Sequence, residues 1–269
     1  MIDFNRIHTR VFCSVTIITA GAALLSLTGC GTDMLTYAKD SQHAGIGQYT
    51  DGNYAEAAGS FRNAVRQDPT DPVSEYWLGL SYEKTGSYHE AVNAYKTALS
   101  LLPEPGSARY NQQLHDKAFD RLAHVIAEND PSNTETELVV ATADRDKAAD
   151  EYWLLGRIFR YRGDADTAMD NYHRSIQIDP DNFMVQKEFG LYLETLGQDQ
   201  QAAAVLRDAY RLRYTDDEVN NGLLRLGLTP GPDLLQTTTV KNLPPAITPM
   251  PEPAASTIGP GSDNAGPHD

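Results

Sequence analysis

The chain is predicted to be all-helical, a right-handed solenoid of stacked helical hairpins followed by a disordered, proline-rich tail. Three observations predict it. The first is self-similarity at a fixed offset of 34 residues: Gly45 recurs as Gly79, Gly52 as Gly86, Tyr54 as Tyr88, Ala57 as Ala91, Phe61 as Tyr95, Ala64 as Ala98 and Pro69 as Pro103. The same offset links Gly156 to Gly190, Gly163 to Gly197 and Ala168 to Ala202. A period in this range marks a stacked-repeat architecture. The second is helical apolar spacing outside the repeats, as in Leu114, Ala118, Leu122, Val125 and Ile126. The third is punctuation, with Gly and Pro recurring where such hairpins must turn and stop.

The elements follow in order. Residues 1–29 have a basic start (Arg6, Arg10) and an apolar stretch from Val11 to Leu27, the two parts of an export leader. The leader closes on Leu27-Thr28-Gly29-Cys30, which resembles the lipobox of bacterial lipoproteins. The resemblance implies cleavage before Cys30, a diacylglycerol thioether on its sulfur and acylation, with palmitate among the chains, of the new amine. At about 0.8 kcal/mol per buried methylene, two or more acyl chains make a stable anchor. Gly31 after the cysteine, where Asp is the usual inner-membrane retention residue, favours the outer membrane facing the periplasm. An uncleaved transmembrane anchor and an ordinary signal peptide are the alternatives. Residues 30–37 read as a tether.

Residues 38–71 and 72–105 are the first two repeats, and 149–182 and 183–216 two more. The residues of 72–105, Leu78-Gly79, Tyr82, Gly86, Tyr88, Ala91, Tyr95, Ala98 and Pro103, resemble the tetratricopeptide repeat, as do Tyr152, Leu155-Gly156, Phe159, Gly163, Ala168, Tyr172 and Pro180. The outer repeats depart from the pattern, with Gln48, Leu193, Leu206 and Tyr214 at aromatic or proline places. The resemblance implies helical hairpins that bury their apolar faces only by stacking. Small residues let the two helices approach, aromatics fill the gaps and Pro ends the second helix.

Between 106 and 148 the period breaks. Ser107 to Glu128 reads as a helix, Asn129-Asp130-Pro131-Ser132-Asn133 as a stop, and Thr134 with Glu137 as a capping box for another helix. This is either a degenerate repeat or an inserted helical pair. Residues 217–228 read as a terminal capping helix, with Val219, Leu223 and Leu226 on one side. Residues 229–269 hold nine of the 15 prolines and no periodic apolar pattern, and are expected to be disordered.

Composition narrows the function. With 22 Lys+Arg against 37 Asp+Glu the chain carries a net charge of −15, which disfavours nucleic acid and anionic lipid as partners. Of its two cysteines, Cys13 lies in the leader and Cys30 is the proposed lipidation site, so no disulfide or thiolate metal site is expected. His43, His89, His115, His124, His173 and His268 have no histidine three or four residues on, and no catalytic or phosphate-binding motif stands out. Neither an enzyme nor a cofactor is expected.

What remains is a surface. In the repeat family the first helices line a concave groove. Carried over, that groove includes Tyr49, Tyr76, Leu80, Glu83, Lys84, Trp153, Arg157, Arg160, Tyr161, Lys187, Leu191 and Glu194. One reading makes the aromatics and arginines anchors for an acidic or carboxylate-ended protein segment. The other packs Trp153 in the core and pairs the arginines with the abundant acids. The resemblances together imply a non-catalytic, lipid-anchored scaffold in an envelope assembly: pilus or secretion machinery, outer-membrane biogenesis or cell-wall enzymes. A self-assembling structural lipoprotein and a peptidoglycan- or glycan-binding module are the alternatives.

Overall fold

A computed structural model describes residues 31–103 and 107–235, with side chains from Ala38 onward. Cys30, the leader and residues 236–269 lie outside the described residues. Among those described there is no strand. The helices are α1 (Gly31–Thr50), α2 (Tyr54–Gln67), α3 (Pro72–Lys84), α4 (Tyr88–Ser100), α5 (Gln112–Asn129), α6 (Thr134–Asp146), α7 (Ala149–Tyr161), α8 (Ala165–Ile178), α9 (Phe183–Thr195), α10 (Asp199–Leu212), α11 (Asp217–Arg225) and the short α12 (Pro232–Leu235). None of the described helices is long and apolar enough to cross a membrane. Because α1 begins at Gly31, residues 31–37 are helical where a tether was expected; no proline interrupts them.

Four pairs, α1/α2, α3/α4, α7/α8 and α9/α10, are tight antiparallel hairpins, and each stacks on the next element. One device closes all four. A glycine on the first helix lies under a large side chain 16 residues on, so that a Cβ there would come within 2.8 Å of Phe61 (from Gly45), 2.6 Å of Tyr95 (from Gly79), 3.0 Å of Tyr172 (from Gly156) and 2.7 Å of Leu206 (from Gly190). Phe61, Tyr95, Tyr172 and Leu206 are fully buried. At the turns, Gly52, Gly86, Gly163 and Gly197 take positive φ (71 to 82°), the left-handed conformation that costs other residues a steric clash. Side-chain caps start the first helices: Asp71 accepts from the Val73 and Ser74 amides, Asn182 from those of Met184 and Val185, and Asp216 from those of Glu218 and Val219.

The 106–148 segment departs from this scheme in a readable way. It does form a helical pair, but α5 has no glycine facing α6, and the two helices barely touch. Both pack instead on α7, which enters between them. The helix bounds differ from the sequence reading as well. α5 starts at Gln112, capped by the Asn111 side chain on the Leu114 amide at 3.0 Å, rather than at Ser107. The Thr134–Glu137 capping box does not form. Asn133 turns the chain at φ 57°, and the buried Asp130 carboxylate caps α6, accepting from the Thr136 amide at 2.9 Å and its hydroxyl at 2.8 Å. Burial works to raise the Asp130 carboxyl, and the hydrogen bonds from Thr136 overcome it, leaving it below the ordinary aspartate range.

At the far end α11 covers α10 with Val219 and Leu223. The tail does not begin where proline content rises. Leu228 and Leu234 pack on the cluster of Phe183, Leu206 and Tyr210, and the Arg211 side chain donates to the Leu234 carbonyl at 3.2 Å. Residues 229–235 therefore belong to the folded body, and the expected disorder of the rest concerns residues outside those described.

Candidate functional site

In the repeat pattern the first helices, here α1, α3, α5, α7, α9 and α11, form the inner face of the stack. In a solenoid, neighbouring first helices lie about one repeat apart in sequence, and here the ion pairs between them recur at an offset of 31: Arg157 to Glu188, Lys187 to Glu218 and Arg225 to Glu194. The offset is the 34-residue repeat less about one helical turn.

Two carboxylates organise this face. Glu188 on α9 accepts from Trp153 Nε1 at 2.9 Å, Arg157 Nε at 2.8 Å, Arg160 at 3.0 Å and the Tyr172 hydroxyl at 2.7 Å. Arg157 also lies over the rings of Trp153 and Phe119, 4.9 and 5.1 Å from their centroids. Burial by itself would raise the Glu188 carboxyl, but the charges and hydrogen bonds of Arg157 and Arg160 hold it below the ordinary range. Burial likewise drives Tyr172 well above a free phenol, with the Glu188 charge adding to it. The second carboxylate, Glu83 on α3, accepts from the Tyr95 hydroxyl at 2.9 Å and Arg121 Nε at 3.1 Å. Tyr95 and Tyr172 thus do two jobs, filling the space over a hairpin glycine and pointing a hydroxyl at an inner-face acid.

The residues expected to line a groove fall into three groups. Trp153 and Arg157 are 2% and 7% exposed, and together with the half-buried Arg160 they are held inward by Glu188, the arrangement of the core-and-salt-bridge reading. Lys187 is paired with Glu218 at 2.7 Å, bracing α9 to the terminal helix. Tyr49, Tyr76, Leu80 and Lys84 gather at the other end. Tyr49 meets Trp77 edge-on at 5.3 Å, Tyr76 lies 5.9 Å from Tyr95, Leu80 is half-buried beside them and Lys84 is exposed. Burial raises the Tyr76 phenol, and the charge of Arg121 opposes the rise, which places α5's arginine against this aromatic end.

The residues that sequence reasoning missed are Glu188, Arg121 and Asp120. Asp120 accepts from the Tyr161 hydroxyl and stands 3.7 Å from Arg157. The 31-residue offset was the available signal for Glu188. Arg121 and Asp120 lie on α5, where the repeat register is lost. Among the described residues no group of three or more His, Cys, Asp or Glu side chains is placed to hold a metal ion.

Comparison with known proteins agrees with this architecture. Family profiles described as tetratricopeptide repeat match residues 44–104 and 150–182. Three solved structures illustrate the likeness. A fragment of MamA from Desulfovibrio magneticus RS-1 is 19% identical, over 68% of this chain and 99% of that one, with a TM-score of 0.35. PilF of Pseudomonas aeruginosa is 13% identical, over 72% and 85%, at 0.37. YrrB, described as a TPR protein with an unusual peptide-binding site, is 15% identical, over 71% and 96%, at 0.34. No curated protein matches the chain. Stacked helical hairpins with a polar inner face define a protein-interaction scaffold. Residues 44–104 and 150–182 are tetratricopeptide repeats, the repeat of a family of generally non-catalytic scaffolds.

Proposed function

We propose that this protein is a lipid-anchored adaptor of the bacterial envelope, tethered through Cys30 and holding a protein partner on its inner face. The observation that carries the reading is the Leu27-Thr28-Gly29-Cys30 tetrad, which stands immediately before α1. An anchor there would present the whole solenoid at the membrane surface. The acidic body supplies no basic face to do that work, so attachment falls to the lipid. The partner's place in this reading is the end formed by the half-buried Tyr49, Tyr76 and Leu80 and the exposed Lys84, whereas the arginine-rich end is occupied by Glu188. Pilus or secretion machinery, outer-membrane biogenesis and cell-wall enzymes are the settings in which such an adaptor would act.

The anchor is tested by expressing the full chain in a bacterium fed an alkyne-tagged palmitate. The expected result is label on a membrane-bound product lacking residues 1–29, and no label on Cys30→Ala. Label that survives Cys30→Ala, or an unlabelled product that keeps its leader, would contradict the proposal.

A further inference from the structure

α6 sits in the stack without the packing that holds its neighbours. Val139 and Ala143 are its only buried apolar side chains, while Leu138 is 56% and Val140 38% exposed. Its close packing is against α7, and it barely touches α5. A cavity of about 440 Å³ remains beneath it, with Leu99 of α4, Phe119 and Leu122 of α5 and Leu154 of α7 as the floor. Leu138 and Val139 form the underside of α6 above that floor. Thr134, Thr136, Val139, Val140 and Thr142 are β-branched, a poor composition for a helix of 13 residues.

Polar ties take the place of packing. The Thr136 hydroxyl donates to Asp130 at 2.8 Å and accepts from Arg162 at 3.0 Å, and Arg162 also donates to Asn133 Oδ1 at 3.0 Å. Glu135 pairs with Lys96 of α4 at 2.9 Å and lies 3.2 Å from His89 Nδ1. At the other end the Tyr152 hydroxyl donates to Asp144 at 2.6 Å. The chain enters and leaves α6 through Asn133 and Lys147, at φ 57° and 52°, the two non-glycine residues with left-handed backbone among those described. That conformation is strained for a residue such as lysine, and detachment of α6 would relax it. Segments with few buried apolar contacts open locally, before the rest of a fold. α4 packs on α5 and α5 on α7 without help from α6, so the stack would stand with α6 detached.

Detachment would bare the apolar floor and leave Lys96 at its edge without Glu135. α6 itself shows what that surface accepts: a helix whose carboxylate, Glu135, is followed four and eight residues on by small apolar side chains, Val139 and Ala143. We propose that α6 is a lid that detaches as one unit about Asn133 and Lys147, and that the groove it covers between α4, α5 and α7 takes a partner's amphipathic helix carrying a carboxylate one turn ahead of its apolar stripe. The groove shares no residue with the Tyr49 end of the inner face, so its test is independent of that reading.

Two measurements on the full chain test it. Hydrogen exchange reads the lid directly, because a detached helix of 13 residues is marginal in water. The hydrogen-bonded amides of α6 are expected to share one protection factor, ~100-fold below that of the buried stretches of α5 and α7. Binding is read by fluorescence anisotropy with a labelled synthetic peptide of residues 131–148. Val139→Asp, whose carboxylate cannot return to the apolar floor, should hold the lid open and bind this peptide ~10-fold more tightly than wild type. Val140→Asp, on the exposed side of the helix, should bind it as wild type does. A peptide carrying Glu135→Lys should lose the binding. Wild-type α6 amides that exchange as slowly as those of α5 and α7 would overturn the lid. Equal or absent peptide binding by wild type and by a Val139→Asp chain that keeps its helical spectrum would overturn the groove, as would binding indifferent to Glu135→Lys.

Discussion

Glu188→Ala is expected to destabilise the C-terminal half of the solenoid by about 3–5 kcal/mol, the cost of leaving a buried charge without its partner. The substitution strands Arg157, whose side chain is 9% exposed, with Asp120 3.7 Å away as its nearest remaining acid. It also removes the acceptor of Trp153 Nε1 and of the Tyr172 hydroxyl. At about 2–4 °C per kcal/mol for a body of this size, the melting temperature should fall by roughly 6–20 °C. Thermal unfolding followed by circular dichroism checks it, and an unchanged melting temperature would show that the cluster is not part of the folded core. The pH dependence has a definite sign. A carboxyl held below its unfolded value contributes stability that is fully present above the ordinary glutamate range and is lost as pH falls through the depressed folded value. Glu188→Gln should therefore be less stable than wild type at neutral pH, and the gap should narrow in acid.

Gly79→Val is expected to cost about 1–3 kcal/mol, the range for overpacking a filled core, while Gly59→Ala is expected to gain up to about 1 kcal/mol. Both glycines are helical, and their surroundings separate them. A Cβ on Gly79 would stand 2.6 Å from the Tyr95 ring, whereas one on Gly59 meets nothing within 4 Å. Tyr95 cannot swing aside cheaply, because its ring is fully buried and its hydroxyl donates to Glu83. Valine also brings two methyl groups and a restricted rotamer to the crowded site. Urea unfolding of the two variants should shift the midpoint in opposite directions. Shifts of the same sign would mean that helix propensity, rather than the hairpin contact, governs these positions.

These two sites show what could be read in the sequence. The hairpin glycines and turn glycines are local requirements repeated at a fixed period, so Gly79, Gly156, Gly86 and Gly163 announced the fold. Glu188 was hidden because its partners lie on two other helices, α7 and α8, 16 to 35 residues away, and no local pattern marks a single acid as buried among so many. Trp153, Arg157 and Arg160 were correctly placed on first helices, but their orientation depended on that one acid. The 106–148 segment was legible as two helices and illegible in its packing, since the missing glycine in α5 says that the pair will not close without saying what enters between. The tail boundary was set by composition at Thr229, whereas the leucines at 228 and 234 still had an apolar cluster to reach.

The end formed by Tyr49, Tyr76, Leu80 and Lys84 is the proposed partner site, and partner capture from the native envelope tests it. Crosslinked pull-downs would compare the wild-type chain with Tyr76→Ala combined with Lys84→Glu, each checked for an unchanged helical spectrum and melting temperature, and identify the retained proteins by mass spectrometry. The account predicts a defined set of envelope proteins on the wild type that is lost from the folded variant. Retention of the same set by that variant would contradict it.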